Sequence, residues 1–375
     1  MPKLGCINRA RPVRLTAGVE PVRNVLNSLL LIADCDEFPG VHPFITRTHS
    51  ALAEEVKLMN KVFMIGLQYA AFPVTDFPTF DGYLKDLQQI NPELLQQRVF
   101  SSYDLVSSYK INILPDKSPV SVTLKDQERL LSSKKIYLEY LTKCFGYETL
   151  DYDIEGRAYD YLTHPEMMRD SMVEHLQYMW TYFLKEEFSR NHAVLEKTAA
   201  DLNCTNTAAL PPLEAARKIT GHDIEREWAG RQWELNWIET AKKVVFVPSF
   251  HMGPYLGRRV LTDAMYIFFS PRMAGGVPLS SPDLTRTDIH TRLATLSDDI
   301  RLQILKMLTR QPELSSKQIM EDLNLTQSSA SRHLKQLSAT GFLNERRQNS
   351  AKIYSINQAF ISQTMEAVTS YLLTD

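Results

Sequence analysis

The sequence predicts a mainly α fold with small β elements: a large, mostly helical N-terminal domain followed by a compact C-terminal unit of short helices and a hairpin. Three observations carry this. Apolar residues recur at three- and four-residue steps through most of positions 1–270. Runs rich in β-branched or aromatic residues are few and cluster late in that region. A Gly-, Pro- and Ser-rich stretch, SPRMAGGVPLSSPDLTRTD, then interrupts the periodicity. The expected division is a domain over 1–270, a linker over 271–288 and a second domain over 289–375.

Composition sets the bounds. With 375 residues, 44% hydrophobic and 23% charged, the chain has the balance of an ordinary globular protein with two or three domains and a sizeable core. A net charge of −2 excludes an overall nucleic-acid signature, so any basic surface is local. Cys6, Cys35, Cys144 and Cys204 are far apart and form no C-x-x-C pair, which reads as free thiols in a reducing compartment. Lys3, Arg9, Arg11 and Arg14 make a basic start, but the apolar run VLNSLLLIA is short and contains Asn27 and Ser28. Neither a signal peptide nor a membrane span is expected, and the expected location is the cytoplasm of a prokaryote.

Along the first domain, RARPVRLTAG is a weak strand candidate. KKVVFVPS, Lys242 to Ser249, and MYIFFS, Met265 to Ser270, are stronger ones, placed to pair around FHMGPYLGRRVLTD. TLKDQERLLSSKKIYLEYLTKCF reads as one helix, with Thr123 and Asp126 as a capping box and Leu124, Leu131, Leu138, Leu141 and Phe145 on one face. From Glu166 to about Leu195, the stripe Met168, Met172, Leu176, Met179 and Phe183 reads as core. NCTNTAALPP, Asn203 to Pro212, is a softer break. Trp228, Trp233 and Trp237 need not share one helical face and are assigned to packing rather than to an aromatic cage.

The second domain opens with DIHTRLATL, which puts Ile289, Leu293 and Leu296 together. SDDIRLQILKMLTRQ follows, with Ser297 as N-cap, Asp298 and Asp299 in the first turn and Ile300, Ile304, Leu305 and Leu308 inward. SSKQIMEDLNL turns Ile319 and Leu323 inward. After a short connection centred on Asn324 comes LTQSSASRHLKQLSATGFL, N-capped by Thr326, with Ala330, Leu334 and Leu337 facing the core and His333 on the core side. Gln327, Ser328, Ser331, Arg332 and Lys335 then share an arc of about 140° on the opposite side, at 100° per residue. This face holds two cations, an amide and two small hydroxyls and no acid, the residue types that approach a groove and bond base edges or phosphates. GFLNERRQNSAKIYSIN reads as a hairpin with Arg346, Arg347 and Lys352 near its tip, a wing suited to the phosphate backbone. From Arg286 to Ile356, eleven Lys and Arg oppose seven Asp and Glu, a local +4 that leaves −6 on the rest of the chain.

On LATLSDDIRLQILKML and LTQSSASRHLKQLSATGFL, the segment from about Arg292 to Leu372 resembles the ArsR-type winged helix-turn-helix. The resemblance implies a dimeric transcriptional regulator, usually a repressor, that binds operator DNA and dimerises through its first and last helices. Ile361, Met365, Val368 and Leu372 supply a suitable last-helix face. Metal-sensing members carry a cysteine pair in the helix before the reading helix; here that helix is SSKQIMEDL, and no cysteine follows Cys204. The residues before the winged unit resemble the long form of such regulators, whose N-terminal domain has no fixed role.

In VPSFHMGPY, Ser249 and His251 invite a ligand-pocket or nucleophile-and-base reading. The G-x-S-x-G pattern is absent, and a tight connection fixed by Pro248, Gly253 and Pro254 accounts for the stretch more simply. The remaining histidines lack metal-ligand spacing, so no metal ligand, cofactor or catalytic residue is assigned. The expectation is a non-enzymatic homodimer on double-stranded DNA, with a small-molecule effector in the N-terminal domain and no membrane association. Two rivals are an enzyme with a DNA-targeting or autoregulatory C-terminal module and an effector-free architectural DNA-binding protein.

Overall fold

The structure is a computed structural model that describes residues 13–38, 40–111, 124–145, 150–204, 210–228, 232–261, 264–270, 286–348 and 351–373. Cys6, Thr123 and most of the expected linker lie outside them. The helical–β division expected from the sequence holds. The N-terminal domain is helical around one small sheet, formed by β1 (Arg14–Ala17), β2 (Lys243–Pro248), β3 (Gly257–Val260) and β4 (Ala264–Phe269) in the order β1-β2-β4-β3. β1 joins β2, and β2 joins β4, in parallel, while β3 runs antiparallel to β4. The two strong strand candidates therefore lie side by side, and the weak one pairs too. β3 escapes the sequence reading because Gly257, Arg258 and Arg259 lack a strand's apolar signal.

β2 and β4 are covered on both faces, which explains their unbroken apolar runs. Period-two alternation sends Val245, Val247, Tyr266 and Phe268 into the main helical core. Val244, Phe246, Met265, Ile267 and Phe269 go to a second core, with Ile219, Trp228 and Trp237. Two of the three tryptophans thus serve packing.

The run containing VLNSLLLIA is a core helix, Pro21–Ala33, buried almost throughout. Its polar side chains have specific partners, such as the 2.8 Å bond from Asn24 Nδ2 to the Pro248 carbonyl. Among the described residues, no helix is long and apolar enough to cross a membrane. The single helix expected around TLKDQERLL is instead two, Leu124–Leu131 and Lys134–Phe145. The break falls at Ser132 and Ser133, where the Ser132 hydroxyl takes the Arg129 carbonyl at 2.7 Å and competes with the helical ladder. Met168, Met172, Leu176 and Met179 of the expected stripe are fully buried on Pro165–Met179, and its last member, Phe183, is partly buried in the π-helical turn Trp180–Leu184 that leads into Lys185–Cys204.

The first described helix of the C-terminal unit, Arg286–Leu296, starts within the stretch expected to be linker. Helices Arg286–Leu296, Asp299–Arg310, Ser316–Asp322 and Gln327–Ala339 lead to the hairpin of β6 (Leu343–Gln348) and β7 (Ala351–Ile356), and helix Gln358–Leu373 follows. A two-residue strand, β5 (Leu314–Ser315), completes the sheet in the order β5-β7-β6. Ile304, Leu308, Ile319, Leu334, Leu337, Phe342 and Tyr354 fill the core. The cap of the second helix differs from expectation: Asp298, not Ser297, accepts the Arg301 N–H at 3.0 Å. Ser297 Oγ instead donates to the Ala294 carbonyl at 2.9 Å.

Candidate nucleic-acid interface

The expected reading helix, Gln327–Ala339, starts where the Thr326 hydroxyl accepts the Ser329 N–H at 3.3 Å. Ahead of it the chain reverses at Asn324, whose φ of 50° is left-handed, a conformation asparagine tolerates better than most residues. Ala330, Leu334 and Leu337 are buried, which turns the opposite side outward. Gln327, Ser328 and Ser331 are exposed and Arg332 is half-buried.

Lys335 stands apart from those four. Its ammonium lies 3.7 Å from the centroid of the Phe38 ring and 5.8 Å from that of Tyr255, both in the N-terminal domain. Phe38 and Tyr255 meet edge to face at 5.3 Å and form an aromatic platform under the cation. Next to it Gly40, at φ 90°, approaches the helix so closely that a Cβ there would sit 3.0 Å from Gln336 Nε2. Asp34 lies in the same junction. Burial raises its carboxyl to about 6, against the opposing pull of the Lys335 charge.

Two of the wing's cations, Arg346 and Lys352, are paired with acids. Arg346 holds Glu313 in a two-pronged contact at 3.0 and 2.6 Å, and the hydrogen bond lowers the Glu313 carboxyl below its ordinary range. Lys352 Nζ lies 2.8 Å from Glu345, and Arg347 stands opposite Lys352 in the ladder. The Arg346 pair is half exposed, so water screens it and a phosphate competes for the guanidinium at little cost.

Behind the exposed face, Arg301 ties the helices together: Nε donates to the Thr295 carbonyl and Nη1 to Gln336 Oε1, both at 2.6 Å. His333 packs with Nδ1 3.4 Å from Asp298, and burial holds its imidazole below the usual range. Neither buried Gln336 nor Arg301 was singled out from sequence for this role; their only signal is a polar residue at an inward position.

In the N-terminal domain, a cavity of about 170 Å³ is lined by Gln68, Tyr69, Tyr103, Leu141 and Glu155 among others. Burial, and secondarily the Asp151 charge, raises the Glu155 carboxyl to about 7, and its Oε2 has no hydrogen-bond partner among the described residues. Ser249 and His251 do not form a nucleophile pair. His251 Nδ1 meets Ser28 Oγ at 2.7 Å, and Ser249 Oγ is buried without a partner among the described residues.

Residues 298–345 match the family model described as bacterial regulatory protein, arsR family. Comparison with curated proteins and with solved structures gives no match. A capped reading helix with an open polar face, followed by a basic hairpin and matched to that family, makes the C-terminal domain an ArsR-type winged helix-turn-helix, the DNA-binding part of a transcriptional regulator.

Proposed function

We propose that the chain acts in the cytoplasm as a homodimeric repressor that binds operator DNA and is controlled by a small molecule held in its N-terminal domain. The observation that carries the reading is the open face of Gln327, Ser328, Ser331 and Arg332 on a capped helix beside Arg346, Arg347 and Lys352 of the wing. Small hydroxyls at the helix start admit the backbone to a major groove, Gln327 and Arg332 bond base edges, and the wing cations follow the phosphates.

Dimerisation draws support from the first and last helices of the domain. Arg292 locks them together through Thr364 Oγ1 at 3.0 Å, while Leu293, Met365 and Leu372 stay more than 40% exposed, an apolar surface suited to a second copy. A two-fold pair of reading helices would address half-sites about 34 Å apart. Effector control draws support from the Glu155 cavity and from Lys335, which the N-terminal platform holds away from the open face. A ligand that favours one relative setting of the domains changes operator affinity by its difference in affinity between the settings. The enzyme rival would place its acid–base chemistry in the same cavity, where burial raises the Glu155 carboxyl to about 7 and pushes Tyr69 and Tyr103 above the usual phenol range.

The test is the chain's affinity for its own upstream DNA at fixed salt. Arg332→Ala is expected to weaken binding by about ten-fold or more, and Lys352→Ala to weaken it less while flattening the salt dependence by about one charge. Unchanged affinity and an unchanged salt slope in both variants would reject the assigned interface.

A further inference from the structure

We propose that His42, Glu187 and His251 form a binding site for one divalent transition-metal ion at the root of the loop that meets the reading helix. The three come from separate elements. His42 is the N-cap residue of helix Pro43–Ala51, Glu187 lies in the first turn of Lys185–Cys204, just after the π-helical turn, and His251 sits in a short 3-10 turn, Phe250–Met252. One ligand atom from each lies within 4.8 Å of the other two. Metal–ligand bonds of about 2.1 Å in tetrahedral geometry place ligand atoms roughly 3.4 Å apart, so the cluster closes on an ion with small side-chain movements.

The hydrogen-bond geometry around His251 points the same way. Ser28 Oγ donates to the Asn24 carbonyl at 3.0 Å, so toward His251 it acts as acceptor and the ring carries its proton on Nδ1. Nε2 is then left facing Glu187 Oε1 at 3.7 Å, with no hydrogen-bond partner, in a side chain that is 6% exposed. Nε2 and the carboxylate oxygen thus face each other across a gap too long for a good hydrogen bond. A metal ion accepts both, and Ser28 becomes the outer-shell group that fixes the tautomer. The carboxylate is held in turn by Asn191 Nδ2 at 2.9 Å and Arg190 Nη1 at 3.3 Å. Phe44 stacks on His251 at 4.9 Å and fixes its ring. Gly253, at φ 58°, brings the two loops together: a Cβ there would come within 2.5 Å of the Gly40 carbonyl oxygen.

Two imidazoles and one carboxylate suit Zn²⁺, Co²⁺ or Fe²⁺ and leave coordination positions open; Ca²⁺ and Mg²⁺ want all-oxygen shells. His42 is two residues from Gly40, which abuts Gln336, and four from Phe38, which underlies Lys335. Occupancy therefore fixes the strap on which the reading helix rests. That last link rests on the proposed operator binding; the metal site does not.

The full chain, stripped of metal and carrying Cys204→Ala to remove an exposed thiol, is titrated with Zn²⁺ by calorimetry and with Co²⁺ by visible absorption. One ion per chain, with d–d bands of low coordination number, is expected. Glu187→Gln should weaken binding at least thirty-fold with metal-free thermal unfolding unchanged. His42→Ala should weaken it as much while lowering the metal-free unfolding temperature through its lost cap on the Phe44 N–H, and Ser28→Ala should weaken it about ten-fold. No binding, or binding that survives both ligand variants, overturns the site. The same samples are then assayed on operator DNA. A Zn²⁺-dependent change in affinity that Glu187→Gln abolishes supports the coupling, and Zn²⁺ binding with operator affinity unchanged overturns the coupling alone. Loss of operator binding in every sample, with Zn²⁺ binding intact, counts against the proposed function instead.

Discussion

The two domains differ in how they satisfy the polar groups they bury. Around its apolar core the winged unit buries polar side chains that bond one another or the backbone: Arg292 to Thr364, Arg301 to Gln336 and the Thr295 carbonyl, and Thr340 to the Gln336 carbonyl. The N-terminal domain draws polar groups inside as well. Arg23 is 1% exposed and bonds Glu20, Asp76 and the carbonyls of Pro73 and Thr75. Asn60 donates to the Leu29 carbonyl at 2.9 Å while its Oδ1 meets His175 Nε2 at 3.1 Å, and Arg259 reaches Gln68 beside the cavity. Buried polar groups are costly unless bonded, so an interior that also leaves Glu155 Oε2 and Ser249 Oγ without a partner among the described residues is sensitive to protons and ligands, whereas the bonded set of the winged unit holds shape. The difference fits the proposed division of labour, with a ligand held by one domain and DNA by the other.

The largest expected effect breaks the polar interior. Arg23→Leu removes the cation that Glu20 and the two carbonyls rely on, and denaturant unfolding should show a loss of about 4 kcal/mol. Its counterpart in the apolar core, Leu337→Ala, should cost about 3 kcal/mol, from lost burial plus the cavity left behind. The comparison predicts that Arg23→Leu unsettles the N-terminal domain while the winged unit stays folded, readable by hydrogen exchange of each domain. Uniform loss of protection across both would contradict it.

Glu155 sharpens the same contrast through pH. Burial raises its carboxyl from 4.5 to about 7, so folding favours the protonated form. That contribution is present in full below 4.5 and is lost as pH rises through about 7. Glu155→Gln stays neutral, and relative to the parent chain it should gain stability above pH 7, on the order of 2 kcal/mol, with little difference at pH 4. Parallel stability curves for the two chains between those values would show that the carboxyl is not held protonated by the fold.

How much of this was legible follows from how local the signals are. In the winged unit, Thr326 announces the helix start beside it and Ala330, Leu334 and Leu337 report one face by spacing alone, while the Ser315–Gln318 capping box, though local, is absent from the sequence reading. What else escaped there was choice among near-equals, Asp298 over Ser297 as cap, and the acids Glu313 and Glu345 that meet the wing cations across the fold. In the N-terminal domain, Arg14 pairs with Lys243, a register that no local pattern encodes, and polar β3 gave no strand signal. His42, Glu187 and His251 share no spacing. Only Gly253 and its flanking prolines marked the loop as special, and the reason, close approach to Gly40, is tertiary.

The smallest expected effect lies where the two domains meet. Lys335 belongs by helical position to the DNA-facing arc, yet its ammonium rests on Phe38. A half-buried cation over an aromatic face contributes about 0.5–1 kcal/mol, which is also the scale on which one phosphate contact tunes affinity. Phe38→Leu keeps the apolar filling of the junction and removes the ring. If the platform withholds Lys335 from DNA, this variant should bind operator two- to five-fold more tightly at fixed salt, with a salt dependence steeper by about one charge, and adding Lys335→Ala should cancel both changes. An unchanged salt slope in Phe38→Leu would mean that Lys335 serves the junction alone, and the reading face would then end at Arg332.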